Sequence, residues 1–171
     1  MTLHHTNMAI ALGCAALLGA PVLVHAASLS KTDAQFMKTA ATDDMIEAHL
    51  GQMAEAQAAG RGVKDFGQKL SDDHTKAYEQ LSVLANQTGE AIPKGIGHEA
   101  SIAQLTHLKG ARFDRAFLVD EAHVDEMAIA RLKNETKHGE NTDLKNWAQN
   151  MIPTFESDLQ TARTLEKDAK R

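Results

Sequence analysis

A chain of 171 residues with a net charge of −5 and 24% charged residues has enough material for one domain with a core of useful size and too little for two ordinary ones. Only 4% of the residues are aromatic, with one Trp and one Tyr. Sandwiches and barrels lean on aromatic and β-branched strands, whereas Ala, Leu, Met, Glu, Gln and Lys favour helices, so the composition predicts an all-α fold. A mildly acidic, mixed-sign surface without a basic cluster excludes a nucleic-acid-binding role.

Met8 to Val24 is the one long apolar run, interrupted by Pro21 and free of charge. It ends in Val24-His25-Ala26, with small residues at the two positions a signal peptidase reads, which predicts cleavage after Ala26 and export to the periplasm. The mature domain then spans 27–171. The leading residues include His4 and His5 but no Lys or Arg, so the positive end of the signal rests on the terminal amine, and a membrane-tethered form is the alternative. The run is marginal for a span of roughly 20 apolar residues. Cys14, the only cysteine, follows Ala11-Leu12-Gly13 in a faint lipoprotein-like signal, but the apolar run continues past it, making lipid anchoring the minor alternative. Loss of the segment leaves no thiol, and with it no disulfide, cysteine-ligated metal or thiol catalysis.

The first predicted helix covers 31–59, with Ser30 as cap and Asp33 in its first turn. Phe36, Ala40, Leu50 and Ala54 form its apolar stripe, with Asp43 and Glu47 in the intervening places. Gly60-Arg61-Gly62 breaks the chain into a short hairpin. The second helix, 63–88, carries Val63, Phe66, Leu70, Ala77, Leu81 and Leu84 at three- and four-residue steps. A longer crossover follows Gly89, containing Pro93, Gly95 and Gly97 and one short helical piece around Glu99 to Leu105. The third helix, 111–137, has Leu118, Ala122, Ile129 and Leu132 on one face; the fourth, 142–168, has Leu144, Trp147, Met151, Phe155, Leu159, Ala162 and Leu165. Pro153 lies inside the fourth, where a missing donor and a ring clash predict a kink or a division. Val63-Lys64-Asp65-Phe66-Gly67-Gln68 echoes Leu144-Lys145-Asn146-Trp147-Ala148-Gln149, as two joined helical hairpins would, although convergent amphipathic patterning produces the same look. The expected architecture is an antiparallel four-helix bundle with its longer crossover between helices 2 and 3.

The informative residues are the polar ones on the apolar stripes: Glu47, His74, Asp125 and Asp158, one on each long helix. At about 1.5 Å of rise per residue all four fall near mid-helix, within roughly two turns of a common layer. A buried carboxylate or imidazole is costly unless it is hydrogen-bonded, paired or bound to a metal. Two explanations meet that requirement. One is a metal site, for which three carboxylates and an imidazole suit iron, manganese or zinc; the other is a hydrogen-bonded polar layer that sets helix register. A di-metal site of the usual kind needs Glu-x-x-His on two helices, and no such pair stands in register here.

Other groups carry less. Asp72-Asp73-His74 and Tyr78 share a region of the second helix, where Tyr78 is placed either to bond His74 or to stand partly exposed on the surface. His49 and His123 are turned by about 200° from Glu47 and Asp125 and are expected in solvent. His98, His107 and His138 are expected in loops with no joint site. Met37, Met45, Met53, Met127 and Met151 read as core or edge filler. The chain has no glycine-rich phosphate loop and no nucleophile elbow, so no catalytic or organic-cofactor residues are assigned.

Glu47-Ala48-His49-Leu50-Gly51-Gln52-Met53-Ala54, Val63 to Lys76 with its Asp73-His74-Thr75-Lys76, Gly110-Ala111-Arg112-Phe113-Asp114-Arg115-Ala116-Phe117 and Ile152-Pro153-Thr154-Phe155 together resemble the bacterial domain-of-unknown-function 4142 family over about Lys31 to Glu166. The resemblance implies an exported, ferritin-like bundle of the periplasm or outer envelope, and suggests a stress-related role. Members show a Glu on the first helix and a His on each later one. Glu47 and His74 match; Asp125 and Asp158 stand where two imidazoles are expected, which alters any inherited metal preference. The resulting expectation is a non-enzymatic envelope protein, with metal-dependent, oxidoreductase-like chemistry as the alternative. Oligomeric state and protein partners leave no mark in the sequence.

Overall fold

The computed structural model describes residues 28–97 and 100–169. The expected signal segment with Cys14, and His98 and Glu99 in the crossover, lie outside the described residues. The described chain is all-helical, in the order α1 (Lys31–Gln57), α2 (Arg61–Thr88), α3 (Ala100–Thr106), α4 (Ala111–His138) and α5 (Thr142–Ala169). None of these helices is long and apolar enough to cross a membrane.

Local chemistry sets the ends. Asp33 donates its backbone N–H to Ser30 Oγ at 3.1 Å, capping α1. The helix ends at Gln57, short of the expected residue 59, and only Ala58 to Gly60 separate it from α2. Arg61 and Gly62 lie inside α2 rather than in the turn, because Gly60 alone supplies the extended cap. Gly89 closes α2 in the left-handed region at φ 71°, where a residue without Cβ is favoured. Pro153 does not divide α5, which is continuous across it. It lies on the exposed side, as does Gln149 one turn earlier, so the carbonyl freed by the missing donor can be met by water.

α1 packs on α2 and α4 on α5, and the two hairpins join along α2–α5 and α1–α4 to close a ring of four long helices. Two apolar clusters fill it. One includes Met37, Ala41, Leu81, Leu132, Leu144, Trp147 and Phe155; the other includes Leu50, Phe66, Leu70, Phe113, Phe117 and Leu118. On α1 the buried line runs through Asp33, Met37, Ala41, Asp44, Glu47, Gly51 and Ala54. Phe36 and Ala40 lie at its edge, with Phe36 edge-on to Trp147 at 6.1 Å. The first half of the expected stripe, Phe36, Ala40 and Asp43, is thus displaced by one position onto Met37, Ala41 and Asp44, whereas Glu47, Leu50 and Ala54 are buried as expected. Leu84 on α2 and Ala122 on α4 are likewise edge residues, with Ala85 and Glu121 buried beside them.

Two observations fix how the helices meet. Gly51 and Gly67 bring the α1 and α2 backbones together: a Cβ on Gly51 would lie 2.4 Å from the Gly67 carbonyl oxygen, and one on Gly67 would lie 2.6 Å from Ala54 Cβ. The hairpins also cap each other. Asp114, in the first turn of α4, accepts from the N–H groups of Ala59 and Gly60 at 2.9 Å each. Asp33, in the first turn of α1, accepts from Glu140 N–H at 3.1 Å and Asn141 N–H at 2.8 Å. The shift of 81 residues that carries Val63 onto Leu144 also carries Asp33 onto Asp114 and Ala59-Gly60 onto Glu140-Asn141. The sequence echo thus corresponds to a structural two-fold relation between hairpins, each carboxylate meeting the orphan donors at the other hairpin's turn.

Substituting Gly67→Ala should lower stability by about 1–3 kcal/mol through overpacking at this crossing. Urea unfolding followed by far-ultraviolet circular dichroism measures the change; an unaltered midpoint would mean that the helices separate there at no cost.

Candidate functional site: a buried acidic layer

Between the two apolar clusters every long helix contributes polar side chains. All four residues singled out in the sequence, Glu47, His74, Asp125 and Asp158, are buried, and they are close enough to act on one another's ionisation. Two buried carboxylates absent from the sequence-based set join them, Asp44 on α1 and Glu121 on α4. The signal for Asp44 was available: the 81-residue shift superposes it on Asp125. Glu121 had only its four-residue spacing from Asp125 to recommend it.

His74 does not bond Tyr78. Its Nδ1 is 2.8 Å from Asp44 Oδ1, its ring is edge-on to Phe155 at 4.9 Å, and its Nε2 has no hydrogen-bonding partner. Tyr78 instead donates to the Pro93 carbonyl at 2.8 Å, tying the crossover to α2. Lys69 reaches in from the surface and meets Asp158 Oδ1 at 2.6 Å while also bonding Asp73 at 2.8 Å. Asp72 and Asp73 remain outside the layer, and Asp43 pairs with Arg131 at the margin. One oxygen each of Asp44, Glu47, Asp125 and Asp158, and both oxygens of Glu121, find no partner.

These groups cannot all be ionised. Five carboxylates face one lysine and one imidazole in a medium where charge is poorly solvated. Burial pushes Asp44, Glu47, Glu121 and Asp158 upward, Glu121 well above the usual range because the charges of Glu47 and Asp125 add to the loss of solvent. Asp125 is pushed up to about 8, by burial and then by the Glu47 and Asp158 charges. Glu121 and Glu47 lie within reach of a shared proton, which would satisfy a Glu121 oxygen that otherwise has no donor. Burial by itself lowers the His74 pKa, but the Asp44 bond and the Glu47 and Asp125 charges outweigh it and leave the imidazole raised. The layer is therefore a set of acids that give up their protons less readily than in water, and Asp125 holds its own near neutral pH.

The chemistry of the donors, several unpartnered oxygens and one imidazole nitrogen, fits a hard or borderline divalent cation. Among the described residues, however, no three His, Asp or Glu side chains converge into a ready-made ligand set. His123 and His107 are exposed, and His138 is the exposed last residue of α4 rather than part of a loop. Of the methionines, Met37, Met53 and Met151 are buried in the apolar clusters, whereas Met127 is exposed.

The profile of Domain of unknown function (DUF4142) matches residues 19–165. The chain belongs to this family. The DUF4142 match covers the whole of the layer and both hairpins up to the last turn of α5, and starts inside the segment read as a signal. No curated protein matches the chain. Among solved structures, a DUF305 fragment from Deinococcus radiodurans superposes with a TM-score of 0.73 at 14% identity, covering 82% of this chain and 99% of that one. CopM in its Cu(II)-bound form superposes with a TM-score of 0.68 at 14% identity, covering 80% and 96%; its Ag-bound form gives 0.66. At such identities the likeness concerns the fold alone.

Because each raised carboxyl takes up its proton at a higher pH when folded than when unfolded, the folded chain holds more protons above about pH 4. Its stability should be greatest in acid and decline as pH rises through 8, the value of Asp125. The slope is about 1.4 kcal/mol per pH unit for each proton of difference. Urea midpoints of metal-free protein between pH 5 and pH 9 should fall accordingly, and Asp125→Asn should flatten the curve. A profile that Asp125→Asn leaves unchanged would show that Asp125 ionises as it does in water.

Proposed function

We propose that this DUF4142 protein is an exported, non-enzymatic, antiparallel ferritin-like four-helix bundle whose buried acidic layer takes up a hard or borderline divalent cation, iron, manganese or zinc, in exchange for protons. The observation that carries the reading is the charge balance. Asp44, Glu47, Glu121, Asp125 and Asp158 are buried with, among the described residues, Lys69 and His74 to offset them, and each keeps an unpartnered oxygen. Protons can neutralise such a set, and a dication can take the place of some of them. Glu47, His74, Asp125 and Asp158 would be the ligands, with Glu121 beside Glu47. His74 must lose its proton before Nε2 can bind a metal, so uptake releases protons and strengthens as pH rises. Asp44 would hold the ring through Nδ1, as outer carboxylates do for ligating histidines. Support of a different kind comes from CopM, a fold relative described in Cu(II)-bound and Ag-bound forms. The donors here are harder than those that favour silver and suit iron, manganese or zinc instead.

Export rests on the apolar run ending at Ala26, with the periplasm as the destination and a stress-related envelope role as the setting. A second reading, a proton-sharing polar layer that sets helix register, is favoured by the lack of three converging ligands and by the Asp44–His74 and Lys69–Asp158 pairs, which already satisfy part of the set.

Elemental analysis of the mature protein, purified without a metal-affinity tag, separates the two. A stoichiometric metal that disappears in His74→Ala is the expected result. Metal-free wild-type protein that also fails to take up iron, manganese or zinc on dialysis would leave the register-setting layer as the function of these residues.

A further inference from the structure

A groove of about 640 Å³ runs along the seam between α1 and α4, toward the end of the bundle where α1 begins. Gln35 and Phe36 wall it from α1, and Ala130, Asn134 and Glu135 from α4. It has the volume and the mainly apolar lining of a small-molecule site. Glu135 is the residue in it that packing does not explain. Its side chain is 2% exposed, yet neither carboxyl oxygen has a hydrogen-bonding partner among the described residues. Oε1 is sealed in against Gly139. Oε2 is not sealed, and it keeps its accessible surface in the groove that Glu135 lines. Burial and the Asp33 charge push this carboxyl up to about 7, against the pull of Lys145. Two cations also line the groove, but Arg131 is spent on Asp43 and Lys31 is exposed at the rim. Neither is among the charges that act on Glu135.

A buried carboxylate without a donor is costly, and a ligand that brings both a donor and a positive charge relieves it. We propose that this groove binds a small organic ammonium ion, its nitrogen donating to Glu135 Oε2 and its apolar body lying against Phe36 and Ala130. A bare metal ion would find one reachable carboxylate oxygen here, too few for a ligand set, whereas an ammonium group needs only one charged acceptor. An aromatic ring in the wall adds attraction for a cation. Gln35 and Asn134, both exposed, offer amide oxygens to the remaining N–H groups. The groove shares no lining residue with the acidic layer, so either site can fail alone.

The test titrates the mature, untagged protein at neutral pH with benzylamine, and separately with benzyl alcohol and benzoate, which keep the ring and replace the positive charge with none or a negative one. In two-dimensional amide NMR, benzylamine should shift residues of 31–39 and 130–135 saturably, and the other two probes should bind at least about tenfold more weakly. Glu135→Gln should bring benzylamine down to the level of benzyl alcohol, with unchanged far-ultraviolet circular dichroism. Ala130→Phe, at an exposed position, should fill the groove and abolish binding while leaving the buried carboxyl intact. The proposal is overturned if benzylamine gives no saturable shift or if benzyl alcohol or benzoate binds as well. It is equally overturned if the preference for the amine survives Glu135→Gln, or if Ala130→Phe binds like wild type. Benzoate binding more tightly than benzylamine would make Lys31 and Arg131 the anchors of an anion site instead.

Discussion

The interior of this protein contains more acid than it can neutralise with its own bases, and the rest of the structure is organised around that fact. Asp44, Glu47, Glu121, Asp125 and Asp158 are buried where water cannot screen them, with the reach of Lys69 and the ring of His74 as their positive partners among the described residues. Apolar side chains of the same volume would give a drier and simpler core. Keeping five carboxyls there makes sense if the layer is meant to exchange its protons for something, or if the helices need a polar level at which only one register satisfies every group. Both explanations demand that the helices be positioned within a fraction of an ångström, and both are served by the same scaffold.

That positioning comes from contacts far from the layer. The Gly51–Gly67 crossing sets the depth at which α1 meets α2, and so determines that Asp44 reaches His74. The carboxylates of Asp33 and Asp114 lock each hairpin to the turn of the other. These two caps are buried charges with partners: each accepts from two backbone donors at the turn where α2 or α5 begins, where an anion is favoured. The chain thus separates its acids into those whose oxygens meet fixed N–H donors, which hold the frame, and those at mid-height, each of which keeps at least one oxygen that no donor meets.

Much of this is legible in the sequence, and the misses have a common cause. The four long helices, the longer crossover and the mid-height polar residues on every helix follow from apolar spacing alone. The face of α1 does not: Phe36, Ala40 and Asp43 make a plausible stripe, whereas the buried line through Met37, Ala41 and Asp44 includes carboxylates that any apolar pattern counts as solvent. Glu121 is hidden in the same way behind its neighbour Ala122. A rule that treats polarity as exposure fails where a protein buries charge on purpose. Tyr78 was placed correctly on its helix but given the wrong partner, because sequence spacing brings it near His74 and says nothing of the crossover that passes over it at Pro93.

The two-fold relation between hairpins bears on how many ions the layer would hold. In a duplicated frame, a centre for two metals would repeat each ligand across the axis. Only one pair does so here, since the 81-residue shift takes Asp44 to Asp125, but takes His74 to Phe155, Glu47 to Ala128 and Asp158 back to Ala77. The imidazole and its counterpart are in direct contact, ring edge to ring face at 4.9 Å, so the apolar Phe155 occupies the place where a second histidine would donate. The frame is symmetric and its acidic layer is not. If the layer takes up metal as proposed, that asymmetry favours one ion over a bridged pair, and it explains why Lys69, whose counterpart is the uncharged Asn150, enters from one side only to meet Asp158.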